Sequence, residues 1–176
     1  MRLATWNVNS IRARTELVLD WIGRVEPDVL CMQETKVADD AFPAEVFRNL
    51  GYDVAAYGQK GYNGVAIASR VPLTAVARGP GDAALDAEGA RLVSAQVGRL
   101  HVYSAYVPNG KVVGSPAYAM KLQWLARLRA LVEDRHGPDD DVASSPIWAP
   151  LRQVASAPAG PPLPQQIGGY RIGRIL

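Results

Sequence analysis

The sequence predicts an α/β fold, and three observations carry the prediction. Two short apolar runs, Leu3-Ala4-Thr5-Trp6 and Val29-Leu30-Cys31-Met32, each stop abruptly at polar residues: Asn7 after the first, Gln33-Glu34-Thr35-Lys36 after the second. Between them, Ile11 to Gly23 repeats its apolar side chains at helical spacing. From Tyr52 onward the pattern changes to short strands, until a long amphipathic helix over Tyr118 to Asp134. A strand, a crossover helix and a second strand make parallel neighbours. Asn7 and Glu34 then emerge at one edge of the sheet, where open α/β sheets present their ligands.

Each element has a local reason. The run Val29–Met32, entered through Pro27-Asp28, is apolar without alternation and reads as a strand buried on both faces. Asn9-Ser10 is a good cap for the first helix, in which Ile11, Val18, Trp21, Ile22 and Val25 line one face. Asp39 to Leu50 reads as a second amphipathic segment, opened by Asp39-Asp40 and Pro43 and stopped by Asn49 and Gly51. Strands follow over Asp53–Tyr57 and Val65–Ser69, joined by the Gly-rich turn 58–64, with an edge strand over Pro72–Ala77. Gly79 to Gly89 reads as a loop, and Arg91–Val97 and Leu100–Val107 as two strands meeting at Gly98-Arg99. In the long helix the expected apolar stripe is Leu122, Leu125, Leu128, Leu131 and Val132. Beyond His136-Gly137-Pro138 the texture breaks. Residues 137–176 hold seven of the thirteen prolines, and they read as irregular chain.

The bulk composition bounds the class. At 176 residues, 48% hydrophobic and 20% charged, the chain fits one soluble globular domain. A net charge of +2 permits a nucleic-acid partner without pointing to one. The single cysteine, Cys31, excludes an internal disulfide and fits a reducing compartment, and its apolar neighbours make it a core thiol. No signal-peptide core or membrane-length apolar run occurs, so a cytoplasmic protein with no membrane partner is expected.

The candidates for chemistry are oxygen ligands and phosphate binders. Asn7, Asn9 and Glu34 place hard oxygens at two strand tips, which suits Mg²⁺ held by one carboxylate plus water and substrate phosphate. Cysteine and histidine clusters for zinc are absent from the sequence. His101 reads as a strand residue and His136 as a partner of the helix C-terminus. Arg12 and Arg14 are either a solvated first turn or phosphate contacts. Tyr106-Val107-Pro108-Asn109-Gly110 is either a packed hairpin corner or a phenol and an amide aimed at a phosphate. Lys60 and Tyr62 put a cation and a ring on a flexible turn, as a nucleic-acid contact would.

Taken together, four stretches stand in the order and spacing of one family: Thr5 to Arg12, Gln33 to Lys36, Gly61 to Ala66 and Tyr106 to Gly110. The chain resembles the exonuclease III family, the abasic-site endonuclease branch of the endonuclease/exonuclease/phosphatase superfamily, over roughly Met1 to Val142. The resemblance implies a two-sheet α/β sandwich of the DNase I-like type, with a Mg²⁺-dependent site (Mn²⁺ as the alternative ion) at one end of the sheets. It implies cutting of duplex DNA at abasic sites and trimming of 3′ ends, in DNA repair, by a monomer. Carried over by position, Asn7 and Glu34 resemble the metal-side residues, with Asn9 and Lys36 as a second-metal or supporting group. Tyr106 resembles the active-site tyrosine, and Lys60, Tyr62, Asn63 and Asn109 resemble DNA-strand contacts, with Arg12 beside them. Two other readings are a superfamily phosphatase or phosphodiesterase, and a non-catalytic remnant that binds nucleic acid.

The departures matter as much. The family places a Gly-Asp-Phe-Asn strand after the long helix and a Ser-Asp-His triplet near its C-terminus. Here Asp139-Asp140-Asp141-Val142 runs into Ala143-Ser144-Ser145-Pro146, with no Asn after Asn109 and no His after His136. The expectation is an incomplete sandwich: residues 1–142 as the N-terminal part of the domain, and 143–176 as a tail foreign to it, the reading frame being lost after Val142. An uncovered apolar sheet face and negligible activity are expected with it.

Overall fold

The computed structural model describes residues 1–136 and the backbone of residues 166–167 and 170–171. They divide into two compact units, Met1–Asn109 and the part from Gly110 onward.

The first unit runs β1 (Leu3–Asn7), α1 (Ile11–Val25), β2 (Val29–Gln33), a 3-10 turn (Asp39–Ala41), α2 (Ala44–Arg48), β3 (Asp53–Tyr57), β4 (Val65–Ser69), β5 (Leu73–Arg78), α3 (Ala83–Asp86), β6 (Leu92–Val97) and β7 (Leu100–Ala105). Ser10 caps α1 by accepting from the Ala13 N–H, and Glu26 ends it in the left-handed conformation, donating to the Ile22 carbonyl. The segment read as one helix over Asp39–Leu50 is two pieces. Pro43 offers no N–H and keeps Phe42 extended, so the chain turns once before α2 begins. The loop expected over Gly79–Gly89 contains the single turn α3.

A four-stranded sheet has the order β1-β2-β4-β3. β1 and β2 are parallel, in register from Leu3 opposite Val29 to Asn7 opposite Gln33, so both strand tips come out at one edge as the crossover required. A second, antiparallel sheet has the order β5-β6-β7. Strands β2 and β4 are apolar on both faces because both faces are covered. Leu30, Met32, Ala66 and Ala68 pack with Ile11, Val18, Ile22 and Phe47 under the helices. Val29, Cys31, Val65 and Ile67 pack with Val93, Ala95, Val97 and Val102 of the second sheet. Each buried Val, Leu, Ile, Met or Phe among them contributes roughly 1.5–3 kcal/mol.

This corrects one expectation. The inner face of the first sheet is not bare. Strands β6 and β7 alternate apolar and polar residues, which gives the second sheet one apolar face, and that face finds its cover on the first sheet.

The second unit is built on α4 (Pro116–Arg135), whose start is fixed by Ser115 Oγ accepting from the Tyr118 N–H at 3.2 Å, with Pro116 in the first turn. Its buried residues are Trp124, Leu128 and Val132, spaced four apart. Leu122, assigned to the stripe from the sequence, is 41% exposed. Two residues along a helix turn the side chain to nearly the opposite side, so Leu122 and Trp124 cannot share a face. Beyond α4 a short antiparallel ladder pairs β8 (Gln166–Ile167) with β9 (Tyr170–Arg171). The boundary at Val142 and the rest of the irregular tail lie outside the described residues. Among the described residues no helix is long and apolar enough to cross a membrane.

Candidate active site

Three segments of the first unit are stitched together at the carboxyl ends of β1 and β2. The parallel ladder runs on past both strands: Val8 N–H donates to the Gln33 carbonyl (2.9 Å), Ser10 N–H to Glu34 (2.7 Å) and Ile11 N–H to Thr35 (3.0 Å). On its other side the same stretch donates from Thr35 N–H to the Gly64 carbonyl (3.1 Å) and from Lys36 N–H to Asn63 (3.0 Å). Backbone strain concentrates here. Asn9, Ser10, Glu34, Lys36 and Asn63 all have positive φ, between 43° and 86°. Non-glycine residues take this region at a cost, and such positions gather at functional sites.

The polar side chains converge on Glu34. Asn7 Nδ2 donates to Glu34 Oε1 at 2.8 Å, while Asn7 Oδ1 accepts from the Asn9 N–H at 3.1 Å. Lys36 Nζ lies 3.0 Å from Glu34 Oε2 and also donates to Asn9 Oδ1. Tyr106, which follows β7, lies close enough to the same carboxylate to interact with it electrostatically. Burial works to raise the Glu34 carboxyl. The hydrogen bonds from Asn7 and Lys36, the nearby Tyr106 phenol and the Lys36 charge outweigh it, and the group is held below the usual glutamate range. Burial raises the Tyr106 phenol, and neighbouring Glu34 with its negative charge adds to that, against the opposing charge of Arg91. Five of the predicted residues, Asn7, Asn9, Glu34, Lys36 and Tyr106, are therefore in one place.

The expected DNA contacts divide. Lys60 and Tyr62 are exposed, Tyr62 at 74%, on the β3–β4 turn. Gly61 N–H in that turn donates to the Lys36 carbonyl (3.3 Å), tying it to the Glu34 segment. Arg12 is exposed on the first turn of α1, and Asn109 is exposed beyond Tyr106. Asn63 has a task inside the protein: its amide donates to Gln59 Oε1 (3.3 Å) and to the Glu88 carbonyl (3.2 Å).

Three residues of the site were not singled out from the sequence. The guanidinium of Arg91 lies 4.9 Å from the centre of the Tyr106 ring and donates to the Glu88 carbonyl at 2.9 Å. Gln33 Nε2 donates to Thr5 Oγ1 (3.0 Å) and to Ser104 Oγ (3.2 Å), and Ser104 Oγ donates to the Met32 carbonyl (3.1 Å). These bonds join the two sheets beneath Glu34. The strand-end placement of Gln33 was a readable signal; Arg91 and Ser104 gave none.

The donor set suits a hard cation. Among the described residues no three His, Cys, Asp or Glu side chains gather as a soft-metal cluster would require. One carboxylate beside two amide oxygens fits Mg²⁺, which keeps several waters and takes few protein ligands.

Residues 4–165 match the Endonuclease/Exonuclease/phosphatase family. The chain belongs to that family. Exodeoxyribonuclease III of Haemophilus influenzae is 33% identical to this family member over 147 residues, 81% of this chain and 55% of that one. Among solved structures, an AP endonuclease from Archaeoglobus fulgidus has a TM-score of 0.73 and 42% identity, covering 78% of this chain and 52% of that one. A 3′ phosphatase from Neisseria, solved bound to product DNA hairpin, has a TM-score of 0.70 and 37% identity, with 77% and 52% covered. The chain spans about half the length of these relatives.

Proposed function

We propose that this chain carries the metal-side half of a DNA-repair nuclease site of the exonuclease III type, which hydrolyses phosphodiesters in duplex DNA at abasic sites or 3′ ends. The observation that carries the reading is the Asn7–Glu34 pair at 2.8 Å, with Tyr106 beside the same carboxylate. The DNA-acting relatives, one of them solved with a DNA product, support the substrate class.

A bound Mg²⁺ supplies charge neutralisation at a phosphate oxygen and an acidified water. Glu34 and Asn7 would hold that ion. Tyr106, beside Glu34 at the end of the sheet, would turn its one phenolic O–H from the carboxylate to the phosphate. Asn109, Arg12, Lys60 and Tyr62 would contact the strands, the cations through phosphates and the ring by stacking. The 176-residue sequence contains neither the Gly-Asp-Phe-Asn strand, whose Asp activates the attacking water in the family that the chain resembles, nor the Ser-Asp-His triplet, whose Asp-His pair completes that family's site. Loss of a general base alone costs ~10²–10⁴ in rate, so this polypeptide by itself turns over at trace level.

The test pairs Mn²⁺ binding with nicking of an abasic duplex, alongside a soluble phosphoester. The expected result is binding that Glu34→Gln abolishes, and cleavage of the duplex only, at trace level and dependent on metal. Brisk multiple-turnover nicking would overturn the statement on activity. Metal binding indifferent to Glu34 would overturn the site itself.

A further inference from the structure

We propose that Lys36 is a resident counter-ion of the metal site: a divalent cation must displace its ammonium from Glu34, and this lysine thereby sets how tightly the site takes metal. The inference rests on the reading of Asn7 and Glu34 as the metal side, and adds a competitor to it.

The site presents four oxygens: Glu34 Oε1 and Oε2, Asn7 Oδ1 and Asn9 Oδ1. Lys36 Nζ engages two of them, Glu34 Oε2 at 3.0 Å and Asn9 Oδ1. Asn7 occupies a third, donating to Glu34 Oε1. An ammonium is a compact, strongly hydrated cation, so it competes with Mg²⁺ for the same hard oxygens. The two cannot share the carboxylate cheaply. Repulsion between an ammonium and a doubly charged ion a few ångströms apart amounts to tenfold or more in affinity, even near the surface.

The fold lets the lysine leave without disturbing the glutamate. Thr35, between the two, is 1% exposed and held from both sides, its carbonyl accepting from Ile11 N–H at 3.0 Å and its N–H donating to Gly64 at 3.1 Å. Lys36 N–H is likewise fixed, to Asn63. The backbone that aims Glu34 therefore stays in place. The Lys36 side chain is 31% exposed and can swing its four-carbon stem into water, whereas Glu34, at 19%, is enclosed. When metal arrives, the side chain that moves is the lysine.

The experiment is a Mn²⁺ titration of the 176-residue chain, read by loss of the free-ion EPR signal, for wild type, Lys36→Met, Lys36→Arg and Glu34→Gln. Lys36→Met is expected to bind Mn²⁺ on the order of tenfold more tightly, and Lys36→Arg no more tightly than wild type. Lys36→Gln replaces Lys36→Met if the latter fails to show a native circular-dichroism melt. NMR supplies a second readout: saturating Mg²⁺ should free the Lys36 ammonium and shift the Asn9 side-chain amide. Unchanged or weaker binding in the neutral variants, with binding still dependent on Glu34, overturns the inference alone. Binding that Glu34→Gln leaves intact overturns the metal-side reading beneath it.

Discussion

Asn7 and Glu34, 27 residues apart in the chain, are joined by a hydrogen bond of 2.8 Å from the Asn7 amide to one carboxylate oxygen. The bond follows from the parallel register that sets Asn7 opposite Gln33, one residue short of the glutamate. Asn7 is exposed, so Asn7→Ala should leave global stability within about 0.5 kcal/mol. Its effect belongs to the site, where Asn7 both offers an oxygen to the ion and orients Glu34, and its loss should cost at least the roughly 10–100-fold in metal affinity typical of losing an orienting partner. Mn²⁺ titration and a urea melt of the same variant would measure both. A large loss of stability with unchanged affinity would show that the pair is structural.

Gly64 and Gly61 lie on one turn, and both have positive φ, at 88° and 85°. They differ in their surroundings. A Cβ on Gly64 would come 2.1 Å from Thr35 Oγ1, a buried side chain, whereas a Cβ on Gly61 meets nothing within 4 Å. Gly61→Ala should therefore cost only the left-handed strain, about 1–2 kcal/mol. Gly64→Ala adds a collision with the segment that aims Glu34 and should cost clearly more, weakening metal binding as well. Urea denaturation of the two variants is the comparison. Equal losses would mean that Thr35 gives way freely.

The strand tips were legible because chain topology alone fixes them: two apolar runs flanking a helix can hardly pair otherwise than in parallel, and the polar residues that end the runs then share an edge. The cover on the inner sheet face was not legible. Alternation in β6 and β7 says that one face is apolar, but not what it packs on. Arg91 is silent for the same reason, since only the return of β7 beside β6 brings Tyr106 back over it, Tyr106 N–H bonding the Arg91 carbonyl at 2.8 Å. Asn63 has a role that its sequence context did not show. Its neighbours Lys60 and Tyr62 look outward, and its own amide is committed to Gln59 and Glu88.

Cys31 reports on the closure of that sandwich. It points between the sheets, and burial pushes its thiol up to about 12, against a smaller opposing bond from Ser104. At pH 8 the thiolate fraction is then about 10⁻⁴, so a thiol-directed disulfide reagent should react roughly a thousandfold more slowly than with a free cysteine. Adding guanidinium should release the reaction along the unfolding transition. Rapid labelling of native protein at pH 8 would mean that the second sheet opens readily.

Tyr52 ties stability to alkaline pH. Its O–H donates to the buried Pro27 carbonyl at 2.6 Å, and the Arg70 guanidinium lies 5.5 Å from its ring centre. Burial raises the phenol above its ordinary value, with the charges of Glu26 and Asp28 adding to the rise and Arg70 opposing it. The folded state thus holds this proton more firmly than the unfolded chain does. The contribution is fully present below the ordinary tyrosine value near pH 10 and is lost as pH climbs through the raised one. Tyr52→Phe removes the hydrogen bond and leaves the carbonyl buried without it, for a loss of about 1–3 kcal/mol at pH 7. The variant also lacks the alkaline loss, so the gap between the two proteins should narrow above pH 10. Other tyrosines titrate in both and cancel in the difference. Urea unfolding at pH 7, 9.5 and 11 measures the gap, and a constant difference across that range would show that the Tyr52 proton is held no more tightly in the folded chain.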